Sequence, residues 1–235
     1  MLVSLLTLGS PQQLSGGYLY DRRLAELASD HGAEVEFAPV RAWPDPFTLV
    51  HGDVVLVDSI AAWLVAPWAH RAASRRRPLA AILHQPPGGI DDSATRRRIQ
   101  AVLDRSLYRH CGLLVAVSQA LREELVAPPH RLPADRIRVV APGSDVAALP
   151  TGPVPELRHG RRAAAISVGN WMARKGTLDL LDALGRLPDD RLSTDELWRA
   201  TLARAAGRRR AALPRWTDTA AALFAALKEL TANAR

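Results

Sequence analysis

A doubly wound α/β domain is the fold class this sequence predicts, and three observations predict it. Short apolar runs recur along the first 143 residues, helical patterns fall between them, and turn residues gather at their ends. The runs "LVSLLTL", "DVVLVD", "LAAILH", "LLVAVS" and "IRVVAP" have the length and continuous apolar character of strands buried on both faces of a parallel sheet. "EVEFAP" is a weaker strand, alternating Val35 and Phe37 with acids. Between the runs, Tyr20, Leu24, Leu27 and Ala28 share one helical face, with Gly32 placed as a C-terminal cap. Ile99, Val102, Leu103 and Leu107 suggest a second such face. Strand and helix alternation of this kind specifies six parallel strands with helices on both sides, over residues 1–143.

Composition narrows the class. With 48% hydrophobic and 23% charged residues over 235 positions, the chain has the balance of a soluble globular protein. No stretch approaches the ~20 apolar residues of a bilayer span, and "MLVSLLTL" lacks the flanks of a signal peptide, so the expected location is the cytoplasm. A single cysteine, Cys111, excludes an internal disulfide, and no Cys/His cluster has zinc spacing, so a structural metal is not expected. The net charge of +7 comes from arginine, in runs at 75–77, 96–98 and 208–210. Two readings stand: solvated helix faces, or a surface that rests on an anionic membrane. Nucleic acid is disfavoured, because no helix-turn-helix, RNP-type or zinc-finger motif accompanies the charge.

Ligands of such sheets bind outside the carboxyl ends of the strands. That rule selects Gly16 and Gly17 in "GSPQQLSGGYLY", then Asp58, His84 and Ser118 at successive strand ends, and Gly143 after the sixth strand. The glycine spacing is neither the dinucleotide fingerprint nor a P-loop, which excludes dehydrogenase and P-loop chemistry. His84, in "ILHQPPGGID", is either a hydrogen-bonded structural residue or a catalytic one. The following Pro-Pro-Gly-Gly can hold it at the crevice mouth. The other six histidines have no partner at catalytic spacing.

After Gly143 the texture changes. Residues 144–162 are rich in Pro, Gly and charge and read as a linker. "AAAISVG", the basic turn "NWMARKG" and "TLDLLDALGRL" then form a strand, turn and helix over 163–190, with Leu178, Leu181 and Leu184 on one helical face. Lys175 beside a helix N-terminus suits an anion, although an ordinary structural βα unit has the same pattern. Residues 191–235 read as helices. The last, from near Asp218, presents Ala222, Leu223, Leu227 and Leu230 as a stripe expected to pack on the first domain.

Taken in order, "SGGYLYDRRLAELASDHGAEV", "ILHQPPGG", "LLVAVSQALREEL", "IRVVAPGSD" and "ISVGNWMARKGTLDLLDAL" resemble the retaining family 4 glycosyltransferases of the GT-B fold. The resemblance implies an acceptor-side Rossmann-like domain, a nucleotide-sugar-binding domain, and a terminal helix that crosses back to the first. It further implies that His84 contacts the transferred sugar and that Gly16 and Gly17 line the loop near donor and acceptor. Arg174 and Lys175 would then hold the diphosphate as charge develops on the leaving group. By the same resemblance the nucleotide-sugar is a co-substrate, and neither cofactor nor metal is required.

Two departures qualify it. Asn170 stands where many relatives carry arginine, and nothing between Leu187 and Thr201 resembles the acidic E-x7-E motif of the donor domain. Residues 163–190 thus read as a remnant of that domain. A strand at 163–168 would need a pairing partner, either the first domain or a second copy of the chain. Three functions follow: transfer of a sugar to an unknown acceptor with retention, a non-catalytic relative that binds acceptor or a partner protein, or a basic membrane-surface or nucleic-acid adaptor.

Overall fold

The computed structural model describes residues 1–13, 15–40, 46–48, 50–74, 77–89, 93–145, 177–186, 201, 204–209 and 212–234. Strands β1 (Leu2–Leu8), β2 (Glu34–Val40), β3 (Val54–Asp58), β4 (Leu79–Leu83), β5 (Leu113–Ala116) and β6 (Ile137–Val139) form one all-parallel sheet in the order β2-β1-β3-β4-β5-β6. The four central strands are apolar because both of their faces are covered. β3, β4 and β5 are buried at every position. β2 lies at an edge, where Pro39 and the alternation of acids cost the ladder little.

Helices α1 (Gly16–Leu27), α2 (Ala62–Val65), α3 (Ala69–Ser74), α4 (Ala94–His110) and α5 (Gln119–Val126) connect the strands. Ser15, Ser93 and Ser118 cap α1, α4 and α5 by accepting from the amides of Tyr18, Arg96 and Leu121. A further helix, α6 (Thr177–Gly185), belongs to a second compact unit, Val146–Leu213. The last, α7 (Trp216–Asn233), belongs with Met1–Asp145.

Two apolar cores sandwich the sheet. One joins Val55, Val57, Ala81, Leu83, Leu114 and Ala116 to Leu107 and Tyr108 of α4 and to Leu121 and Leu125 of α5. The other joins the alternate strand residues Val54, Leu56, Ile82, Leu113 and Val115 to Tyr20 and Leu24 of α1 and to Leu223, Phe224 and Leu227 of α7. Each fully buried large side chain of this kind stabilises by ~1.5–3 kcal/mol, so α7 contributes substantially. Arg215 begins α7, its amide donating to Asp218 Oδ2 at 2.9 Å, and Thr219 donates to the carbonyl of Ala141.

Helix faces differ from the sequence reading at several positions. In α4, Ile99 and Val102 are 59% exposed, and the buried row is Asp104, Leu107 and Tyr108. The core accepts a carboxylate at 104 because the chain after β4 supplies a donor for it, and the apolar pair is turned to solvent. In α7 the inward face is Trp216, Thr219, Ala220, Leu223, Phe224 and Leu227, while Ala222 is exposed. Leu178 and Leu181 of α6 are exposed. The strand expected at 163–168, residues 146–162 of the linker expected at 144–162, and the anion-site residues Asn170, Arg174 and Lys175 lie outside the described residues.

Candidate active site at the sheet switch point

Strand order reverses at β1. The chain leaves β1 towards β2 on one side and returns to β3 on the other, and it is at such a switch point, beyond the carboxyl ends of β1 and β3, that sheets of this kind form their ligand crevice. The loop after β1 is fastened rather than loose. Tyr18 donates its hydroxyl to the carbonyl of Leu8, and Arg22 Nη1 reaches the carbonyls of Pro11 at 2.5 Å and Gln13 at 3.2 Å. Burial first, then the charges of Asp58 and Asp21, raise the Tyr18 pKa, which keeps the phenol protonated as a donor.

Asp58 ends β3, fully buried, with Oδ1 accepting from the amide of Ile60 at 3.1 Å and the hydroxyl of Ser59 at 3.3 Å. Ser59 Oγ in turn accepts from the amide of His84 at 3.2 Å, which ties the ends of β3 and β4 together. The His84 ring stands edge-on to Tyr20 at 5.3 Å between centroids, and the Tyr20 hydroxyl is anchored on the carbonyl of Val140. A Cβ at position 17 would come within 3.3 Å of His84 Cδ2, so glycine there is what lets α1 close on the imidazole.

One residue that motif reading missed completes the cluster. Asp21 follows Gly17 by one helical turn and is fully buried, with its Oδ1 4.0 Å from His84 Nε2; Asp58 Oδ1 lies at the same distance. A signal was present: position 21 adjoins the apolar face of Tyr20, Leu24 and Ala28, where an acid is out of place. Burial first, then the charge of Asp58 and a proton shared with it, hold Asp21 well above the usual carboxylate range. Burial lowers the His84 pKa, against the opposing pull of Asp58. His84 Nε2 thus stands 4.0 Å from a carboxylate oxygen of each acid.

The turn after His84 is held from below. Gly88 and Gly89 adopt φ of +106° and +64°, conformations that favour glycine, and the amide of Gly88 donates to Asp104 Oδ2 at 2.9 Å. Burial raises Asp104 to about 6, against the opposing effects of that amide, Gln100 and Arg105.

Other predicted residues have structural duties or stand apart. Ser118 spends its hydroxyl capping α5. Gly143 passes so close to Trp216 that a Cβ would fall 2.4 Å from its backbone nitrogen. Gly16 is exposed, with open space where a Cβ would point. The structure therefore brings together Gly17, Asp58 and His84 of the predicted set and adds Asp21.

A parallel sheet with this switch-point crevice defines an α/β protein of the Rossmann-like class. Comparison with protein-family models matches residues 3–148 to Glycosyltransferase Family 4, and the chain belongs to that family. A search of the curated proteins finds no match. Among the described residues, no helix is long and apolar enough to cross a membrane.

Proposed function

We propose that the chain transfers a sugar from a nucleotide-sugar donor to an acceptor with retention of configuration, with the switch-point crevice as the acceptor side of the site. The observation that carries this reading is His84. It sits at the end of β4 with Gly17 against its ring, Asp21 and Asp58 near Nε2, and its amide donating to the Ser59 hydroxyl. In this reading Nδ1 donates to the transferred sugar, where a positioned donor strengthens as charge develops. Gly16 and Gly17 leave room for donor and acceptor beside α1, and Arg174 and Lys175 hold the diphosphate. No cofactor takes part, and the reaction belongs in the cytoplasm.

Titration of the purified chain with UDP-, GDP- and ADP-sugars, with Lys175→Ala as control, tests it. Saturable binding weakened by the substitution supports the proposal, and transfer to candidate acceptors follows from it. Absence of binding to every donor favours the non-catalytic reading instead, in which the first domain binds acceptor or a partner protein.

A second reading concerns where the reaction occurs, and α4 carries it. Arg98, Val102, Arg105 and Arg109 recur at i, i+4, i+7 and i+11, beside the exposed Ile99, so basic and apolar groups share one outward stripe. Such a stripe suits an anionic bilayer surface. Sedimentation with phosphatidylglycerol vesicles, lost at high salt and in Arg98→Glu/Arg109→Glu, checks it.

A further inference from the structure

The two acids beside His84 are not equivalent. An oxygen of Asp21, an oxygen of Asp58 and a ring nitrogen of His84 lie within 4.8 Å of one another, and both carboxyl groups are fully buried. Two carboxyls so enclosed cannot both ionise, because each charge raises the cost of the other. Hydrogen bonding decides which one keeps the proton. Asp58 Oδ1 accepts from the amide of Ile60 and the hydroxyl of Ser59, donors that favour an anion. Among the described residues, no amide or hydroxyl donates to either oxygen of Asp21. Asp21 is therefore the acid and Asp58 the carboxylate. Burial first, then the charge of Asp58, keep Asp21 in that state well above the usual carboxylate range.

We propose that Asp21 is a positioning residue for His84: its carboxyl O–H donates to Asp58 and leaves the pair one negative charge, the counter-charge of the imidazole. Nε2 stands 4.0 Å from an oxygen of each acid. The charge on Asp58 opposes the effect of burial on the ring and so supports an imidazolium when one forms. Other ionisable groups around the pair are neutral or turned away. Tyr18 and Tyr20 of α1 and Tyr108 of α4 are phenols whose pKa values burial raises. The Arg22 guanidinium engages the carbonyls of Pro11 and Gln13. What His84 then does in catalysis rests on the transfer reading; the state of the pair stands without it.

Histidine NMR of the full chain, with the His84 signal assigned by its loss in His84→Gln, tests the pair through the titration midpoint of the ring. Asp21→Asn should leave that midpoint at its wild-type position, because the amide N–H donates to Asp58 as the carboxyl did. Asp58→Asn should move it to lower pH, because the counter-charge is gone. A measurement that needs no variant to fold is the infrared carboxyl band of the wild type at pH 7, above the value of about 6 for Asp104. One protonated buried carboxyl should remain there.

An Asp21→Asn shift as large as that of Asp58→Asn, an Asp58→Asn midpoint that does not move, or no protonated carboxyl at pH 7 would each overturn the proposal. Transfer from a UDP-, GDP- or ADP-sugar should fall at least about tenfold in Asp21→Ala and recover most of that loss in Asp21→Asn. A wild type that transfers none of these sugars but shows the spectroscopic pattern would support the pair and count against sugar transfer.

Discussion

Two buried carboxylates lie near His84, and their surroundings are opposite. Asp104 accepts from the amide of Gly88 and so fixes the turn that follows the histidine. Asp21, equally enclosed, shares a proton with Asp58 and faces the imidazole. Burial raises both pKa values, yet one acid is tied to a backbone amide of the scaffold while the other is paired with a second acid beside His84. The difference teaches that depth of burial alone does not separate an acid of the scaffold from one facing the crevice histidine; the groups each one meets do.

The widest separation between the two should come from activity against stability. His84→Ala is expected to lower kcat/KM for transfer by about 10²–10³-fold while leaving the melting temperature nearly unchanged. A parallel loss of both would make the histidine part of the scaffold too. Asp104→Ala should do the reverse: it strands the Gly88 amide and opens a cavity, so urea denaturation should show a loss of about 2–3 kcal/mol.

Next in size is a pH effect on Asp104. Its folded pKa, about 6, exceeds the ordinary carboxylate value, so the native state binds the proton more tightly than the unfolded chain. Stability from this group is therefore complete below about pH 4 and declines as pH rises through about 6, by roughly 1–3 kcal/mol. Asp104→Asn, which keeps an acceptor for Gly88, should abolish that decline, so its advantage over wild type should be larger at pH 8 than at pH 4. Equal advantage at both would show that Asp104 is not the titrating group.

The smallest stability effect is expected at Gly17. Alanine there sets a Cβ 3.3 Å from the His84 ring, and helix propensity offsets part of the crowding. Folding free energy should change by less than about 1 kcal/mol, while transfer falls several-fold because the imidazole tilts. Unchanged transfer would mean that the ring position is not critical.

Much of the fold was legible because periodicity reports burial. All six strands stand where apolar runs or alternation placed them, since a parallel sheet enclosed on both faces must be written in consecutive apolar residues. Strand ends likewise located Asp58 and His84. Asp21 and Asp104 escaped because a helix reader scores them as solvent-facing, and only tertiary contacts reveal that one meets His84 and the other Gly88. The same blindness misplaced Ile99 and Val102: hydrophobic spacing cannot say which of two faces the sheet selects when a buried acid competes for the inner one.

The origin of α7 has a consequence for synthesis. Its residues, 216–233, close a core whose strands were made long before, and the whole of Val146–Leu213 emerges in between. At ~5–20 residues per second, the apolar surface of Ile82, Leu113 and Val115 waits several seconds on the ribosome for its cover. A nascent chain stalled in that interval keeps this apolar surface uncovered until the residues of α7 are made.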